Sequence, residues 1–379
     1  MPSRVPFSKL YVNRLKAESA IVQWIGDPLS KRVGVIEAPP GSGKSWLIKY
    51  LTKKSDRNRA YRPFLLISSE EWVSANPDNL RAKITDLQTK WAEQVLVQLK
   101  NANWPNPNSS YLNFLNTEDP TRRTQYLAEM LGLCPKLPLP VFFWDGYDEI
   151  NESTLVKARE YLIDPLIRHG NCIKIILSIR PGVLINGLTL RDQLHYFDFE
   201  MTWIPNTPES ATLQIGKITK LLSKQKKYPD NLLKKIHVAM LELEEKGILQ
   251  LPFVVNFLHH KQLVKATNEG SPENLDVLLT IEDCRSCLLS LMQGTRITNI
   301  SENDLSAIRL IAARLGPTWS QTDFKNSGVA PIHSYLGHLN ELKERGLVIY
   351  IEQSDNHKLV DGTRELLRAW HTLLETSHD

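Results

Sequence analysis

The 379-residue sequence predicts an α/β domain built on a parallel sheet, then an all-α helical domain, then a C-terminal winged-helix domain. Three observations predict this. Short apolar runs alternate with helically spaced apolar positions up to about residue 205. Strand signals then vanish until Val348. The chain closes on three helical segments and two β-rich runs, the pattern of a winged helix. The boundaries so drawn are 1–205, 206–300 and 301–379.

The elements follow in order. Val33–Glu37 is a short apolar run bounded by Gly, Pro and Ser, and reads as a buried strand. A helix follows from about Ser45 to Lys53, then a second buried strand at Phe64–Ser68. Leu80, Ile84, Leu87, Trp91, Val95 and Leu99 lie at helical spacing, which predicts a helix over Asn79–Leu99. Between Asn101 and Pro120 the composition turns to Asn, Pro and Ser and reads as a surface loop. Val141–Trp144 and Lys174–Ser178 are the third and fourth strands, and Met201–Ile204 a last one. Pro205–Pro208 reads as a linker. Helices are expected at about 209–224, 230–245, 252–265 and 272–292. Then come helices Asn303–Leu315, Ser320–Lys325 and Pro331–Arg345, and the ribbon of Leu347–Ile351 and Lys358–Val360. No internal repeat is visible.

Composition sets limits. Apolar residues make up 42 % and charged residues 23 %, ordinary for a globular chain, and the net charge of +4 neither demands nor excludes a nucleic-acid partner. No apolar run approaches the ~18–20 residues of a membrane span. The N-terminus lacks the apolar stretch of a signal peptide, so a cytoplasmic location and no membrane partner are expected. Cys284 and Cys287 form a lone CxxC without a second pair. Two reduced thiols near one helix face are expected rather than a zinc site.

The run Ala38-Pro39-Pro40-Gly41-Ser42-Gly43-Lys44-Ser45 matches GxxxxGK[ST], with Ala38 at the first glycine. Small residues let successive backbone N–H groups curl around phosphate oxygens, and the following helix adds the positive end of its dipole. Lys44 is placed for the β- and γ-phosphates, Ser45 for Mg²⁺, and Trp46 beside them. The strand-and-helix context makes this a P-loop NTPase sequence. Val141–Trp144 runs into Asp145-Gly146-Tyr147-Asp148-Glu149, an apolar strand ending in acids. Asp145 reads as the Mg²⁺-side acid. Asp148 and Glu149 either orient or deprotonate the attacking water, or are solvated turn acids. Arg180, ending the fourth strand, either senses the γ-phosphate or is a plain surface residue.

Together these motifs resemble the STAND class of signalling NTPases and its NACHT-like branch, bacterial members above all. Asp145–Glu149 looks like that branch's DGxDE, and Ser178-Ile179-Arg180-Pro181 like its sensor strand ending in SRP. Tyr11-Val12-Asn13-Arg14 is similar to the segment that lines the adenine pocket, with Asn13 at the usual Gly and Lys16 where Glu is common. Gln250-Leu251-Pro252-Phe253 resembles the GxP segment whose proline packs on the nucleotide, with Gln250 at the Gly. Lys358–Leu367 is similar to the segment closing the winged helix, where Val360 stands at a position commonly held by an ADP-contacting His. The resemblance implies a slow regulatory ATPase that uses ATP, ADP and Mg²⁺. It implies a signalling switch, closed with ADP and assembling into homo- or hetero-oligomers with ATP, in roles such as antiviral defence. The preference for ATP over GTP is likewise implied by the resemblance. Members flank this module with effector and sensor domains, so separate effector and sensor proteins are expected partners here.

A second class of function is a DNA-acting ATPase of the origin-recognition or transposition type, which also joins such a domain to a winged helix. The helix Pro331–Arg345 carries His333, His338, Lys343 and Arg345 but also Glu341 and Glu344. Lys217, Lys220, Lys224, Lys226, Lys227, Lys234 and Lys235 lie in a stretch whose single acid is Asp230. That stretch reads either as a solvated helix face or as a docking surface for nucleic acid or an acidic partner. A third possibility is a nucleotide-dependent scaffold without turnover.

Overall fold

The computed structural model describes residues 12, 14–58, 61–68, 77–101, 108–132, 138–150, 152–170, 173–181, 194–199, 201, 210–225, 228–268, 279–292, 301–331, 333–344, 347–351, 354–360 and 362–377. The first part contains α1 (Leu15–Gly26), β1 (Val33–Glu37), α2 (Lys44–Asn58), β2 (Tyr61–Ser68), α3 (Pro77–Asn101), α4 (Asn108–Asn116), α5 (Pro120–Gly132) and β3 (Leu139–Asp145). After a 3-10 turn come α6 (Glu152–Ala158), a π-helical turn (Arg159–Ile163), α7 (Asp164–His169), β4 (Lys174–Ile179) and β5 (Leu194–Tyr196).

The five strands form one parallel sheet in the order β2-β3-β4-β1-β5. Parallel strands covered by helices on both faces read as continuous apolar runs, and β3 shows why. Its Phe142 and Trp144 face one core with α3, α5 and α7, while Val141 and Phe143 face another with α1 and α2. All four side chains are fully buried. Each such side chain contributes about 1.5–3 kcal/mol of burial free energy, which makes this sheet a rigid platform for the loops at its carboxyl edge.

The chain continues with α8 (Ala211–Lys224), α9 (Asp230–Glu245), α10 (Pro252–Asn268) and α11 (Ile281–Met292). The winged-helix part has α12 (Glu302–Arg314), α13 (Gln321–Asn326), α14 (Tyr335–Glu344) and the antiparallel pair β6 (Val348–Ile351) and β7 (Asn356–Leu359). Trp319 adds a short antiparallel bridge to His357. Capping boxes start α12 (Ser301 with Asp304) and α13 (Ser320 with Asp323). A last helix, α15 (Arg364–Thr376), buries Leu366, Leu367 and Trp370 and packs on α11 and α12. One contiguous apolar cluster runs from Ala211 through α8–α11 to Trp370. Among the described residues no helix is long and apolar enough to cross a membrane.

Several expected boundaries change. The stretch Asn101–Pro120 holds α4, a helix hidden by Asn and Ser; Phe114 is its buried anchor, with the Arg123 guanidinium 4.1 Å above the ring centroid. The fifth strand of the sheet is Leu194–Tyr196, upstream of the run Met201–Ile204 where a last strand was expected. Met201 lies outside any strand, and 202–204 and the expected linker 205–208 fall outside the described residues. The helix expected over 272–292 begins at Ile281, because Thr280 and Asp283 cap it reciprocally (Thr280 N to Asp283 Oδ2 3.0 Å, Asp283 N to Thr280 Oγ1 3.2 Å). The part of that expectation at 272–278 lies outside the described residues. The last winged-helix helix starts at Tyr335, after a turn in which Ser334 N donates to Pro331 O (3.0 Å).

Candidate nucleotide site

The loop between β1 and α2 is held open by two left-handed glycines, Gly41 (φ 74°) and Gly43 (φ 94°). A side chain at either position would be strained, which is why glycine stands there. Gly43 O accepts from Trp46 N and Leu47 N (both 3.0 Å) and so opens α2, whose first turn carries no acid. α2 thus presents its first turn and the positive end of its dipole to the loop, a placement that favours an anion. Ser42 is fully buried and its Oγ has no hydrogen-bond partner. Ser45 and Pro40 are half-buried beside it.

Lys44 is buried, and its Nζ donates to the carbonyls of Ala38 (2.5 Å) and Pro39 (3.0 Å), spanning the neck of its own loop. Burial lowers its pKa from 10.5 to about 8; Asp148 and Glu149 pull it back up, Arg180 lowers it, and Asp145 raises it. All four residues thus lie within electrostatic reach of this ammonium, although 101 to 136 positions separate them from it in sequence.

The sheet order explains the convergence. β4 lies between β1 and β3, so the Asp145 strand is one strand removed from the P-loop strand, and the residues ending β4 fill the gap. Ser178 of β4 donates to Asp145 Oδ1 (2.9 Å) and accepts from Gly146 N–H (2.8 Å). Gly146 is left-handed (φ 70°) and starts the 3-10 turn Tyr147–Glu149 that carries the next two acids. Asp148 Oδ2 lies 2.7 Å from Arg180 Nε, with side chains 4 % and 12 % exposed. Asp148 Oδ1 has no hydrogen-bond partner. The solvated-turn reading of Asp148 and the plain-surface reading of Arg180 are thereby corrected: the two form a buried ion pair. Glu149 is half-buried at the end of the turn.

The helical part closes over the loop. Phe253 N donates to Gly41 O (3.2 Å). A methyl on Gly41 would sit 2.4 Å from Leu291 Cδ1 and 2.8 Å from Phe253 Cβ, and one on Gly43 would sit 3.7 Å from Pro252 Cγ. Pro252 therefore packs on the phosphate loop itself. Gln214, fully buried, donates to Pro252 O (2.9 Å). Trp46 packs against the C-terminal apolar cluster. Gln214 and Leu291 carry no motif and the sequence reading missed them; Phe253 ends the GxP-like segment, from which only Pro252 was read as a site residue.

Arg14 is buried and donates from Nη2 to the carbonyls of Ser42 (3.2 Å) and Met201 (3.0 Å), bracing the loop from outside. Tyr11 and Asn13 lie outside the described residues. Val360 is buried in the winged-helix part, and Gly362 (φ 79°) abuts Leu251; a methyl there would be 2.7 Å from Leu251 Cγ.

The Ser45 hydroxyl and the Asp145 carboxylate, expected from the sequence to hold Mg²⁺, are hard oxygens of the kind that ion takes. No cluster of three or more His, Cys, Asp or Glu among the described residues could hold a metal by itself, so phosphate oxygens and waters would complete the shell. Cys284 and Cys287 are free and buried in α11, and burial raises both thiols, Cys284 to about 12. In α14 and the turn before it, His333 and Glu341 are exposed while His338 and Lys343 are half-buried; Arg345 lies outside the described residues.

No protein-family model and no curated protein matches the chain. Solved structures do. The chain is similar to the ORC2 protein of Aeropyrum pernix in its ADP form, at a TM-score of 0.49 and 12 % identity over 99 % of this chain and 96 % of that one. It is similar to Cdc6p from Pyrobaculum aerophilum, at a TM-score of 0.36 and 14 % identity over 99 % of both chains. It is also similar to a signal transduction ATPase with numerous domains and a tetratricopeptide repeat sensor from Pyrococcus horikoshii, at a TM-score of 0.34 and 13 % identity over 97 % of this chain and 43 % of that one. Likeness at these identities concerns the fold alone. The chain has the fold of a P-loop NTPase: a parallel α/β sheet followed by a helical and a winged-helix part.

Proposed function

We propose that this protein is a nucleotide-controlled switch of the STAND, NACHT-like kind, which binds ATP with Mg²⁺ and hydrolyses it slowly. The observation that carries the proposal is the seating of Pro252, Phe253 and Leu291 directly on Gly41 and Gly43. A loop that must adapt to the presence of phosphates is gripped by the helical part, so nucleotide state and the position of that part are mechanically linked.

In this reading Lys44 leaves the Ala38 and Pro39 carbonyls for the β- and γ-phosphates, which restore the ammonium's lost solvation. Ser45 and Asp145 would hold Mg²⁺, whose charge would offset that of the phosphates. Ser178 keeps Asp145 turned toward the site. Glu149 orients the attacking water and takes its proton as the water oxygen bonds to the γ-phosphorus, the bond from that phosphorus to the bridging oxygen breaks, and ADP and inorganic phosphate leave. Arg180, paired with Asp148, senses the γ-phosphate by exchanging one anion for another. Val360 offers no hydrogen bond to a phosphate, so the closed state rests on packing at Gly43 and Leu251. Assembly with separate effector and sensor proteins, as in antiviral defence, is part of the proposal by resemblance.

The test is ATP binding and turnover of the purified protein. Lys44→Ala should abolish binding, and Glu149→Gln should retain binding and lose turnover. Wild-type turnover in both variants would refute the proposal.

A further inference from the structure

We propose that the exposed face of the α8–α9 hairpin docks duplex nucleic acid through its phosphate backbone, without reading sequence. From Lys217 to Lys235 the chain carries seven lysines against one aspartate, a local excess of six positive charges on a chain whose net charge is +4. The remainder of the protein therefore sums to a slightly acidic charge; Lys44–Arg62 carries the same local excess, but its Lys44 and Arg62 are buried. Opposite potential attracts a polyanion from a distance and orients it.

The fold turns that sequence run into a surface. α8 and α9 are antiparallel and pinned along their length: Thr219 Oγ1 lies 3.1 Å from His237 Nδ1, and Ser223 Oγ donates to Asp230 Oδ1 (3.2 Å). Apolar Ile215, Ile218, Leu222, Leu232, Leu233, and Ile236 face inward and are buried. Lys217, Lys220 and Lys224 follow at helical spacing along the opposite side of α8, and Lys234 and Lys235 stand on α9; all five are exposed. Asp230, the acid within the run, is already engaged by Ser223. The acids Glu242 and Glu245 lie at the far end of α9, away from the basic tip.

The composition selects the partner. Protein interfaces favour Arg and aromatic anchors and are depleted in Lys. This face has lysines, no arginine and, among the described residues, no exposed aromatic ring; Tyr228 is buried. The absence of a stacking ring among those residues disfavours single strands, which need such platforms. Flexible ammonium groups along a helix suit the regularly spaced phosphates of a duplex, contacts that position without specifying sequence.

The experiment is fluorescence anisotropy of a labelled random-sequence DNA duplex with the full-length protein between 50 and 200 mM salt. Five neutralised phosphates give a slope of log K against log[salt] of about −4.5, a loss of roughly 500-fold across that range. Replacing all five lysines with Gln should bring the slope toward zero while leaving the urea midpoint and ATP affinity unchanged. If that variant does not fold, Lys220→Gln/Lys234→Gln should reduce the slope to about −2.7. The α14 pair His333→Gln/Lys343→Gln, in and just before that helix, should change nothing. An unchanged slope in the lysine variants, loss of binding in the α14 pair, or equal competition by poly-glutamate would overturn the proposal. Nucleotide affinity and duplex affinity fail separately, so this result does not depend on the switch.

Discussion

Adding one methyl group at Gly41 tests whether the helical part grips the phosphate loop. The backbone there has φ 74°, and the added Cβ would meet Leu291 Cδ1 at 2.4 Å and Phe253 Cβ at 2.8 Å. Two costs follow. A non-glycine residue in the left-handed region costs roughly 1–2 kcal/mol. Overpacking against a buried neighbour costs about 1–3 kcal/mol more, because Leu291 is 4 % exposed and cannot swing into solvent without displacing others. Gly41→Ala should therefore lose about 2–5 kcal/mol of stability, or lift the helical part off the loop. Leu291→Ala alone should cost about 2–5 kcal/mol through its cavity. The double variant should be better than the sum by about 1–2 kcal/mol, since the new methyl occupies space that Leu291 vacated while the backbone strain remains. Urea unfolding of the four proteins measures this cycle, and ATP affinity of each reports the loop. Strict additivity, or a Gly41→Ala protein as stable as the parent, would show that these side chains do not meet and would remove the mechanical link.

Two further predictions follow from the site. Lys44 has a folded pKa of about 8 against 10.5 when unfolded, so between those values the unfolded chain binds more protons and stability rises with pH, by up to about 3 kcal/mol. Urea midpoints from pH 7 to 10.5 should show this rise, and Lys44→Met should remove that share of it. Arg180→Ala removes the ion-pair partner 2.7 Å from the buried Asp148 carboxylate and should cost about 3 kcal/mol, whereas Arg180→Met with Asp148→Asn should regain most of that loss. Chemical denaturation reads both, and equal stability of the single and double variants would show that the pair is not buried.

Elements with strong local chemistry were legible in the sequence. β1, β3 and β4 are apolar runs that nothing but a covered sheet can accommodate, and α9 shows its buried Leu232, Leu233, Ile236, Met240 and Leu243 at helical spacing. α4 was hidden because only Tyr111 and Phe114 pack inward, while Leu112 and Leu115 stand exposed among Asn and Ser and blur the apolar stripe. β5 was missed because three residues on a sheet edge carry too little pattern. α15 carries Leu366, Leu367, Trp370, Leu373 and Leu374 at helical spacing, a legible amphipathic pattern that the sequence reading missed, and only the fold decided that this face packs on α11 and α12.

By itself the sequence determined the phosphate loop, because Gly41, Gly43, Lys44 and Ser45 act through backbone conformation and charge within a few residues of each other. It also determined that acids end β3 and that an arginine ends β4. Tertiary structure alone decided that β4 enters between β1 and β3, that Ser178 turns Asp145, that Arg180 pairs with Asp148, and that Phe253 and Leu291 close on Gly41. The physical reason is distance along the chain. Local rules bind neighbours, whereas these contacts join residues 32 to 250 positions apart and exist only once burial of the sheet and helices has placed them together.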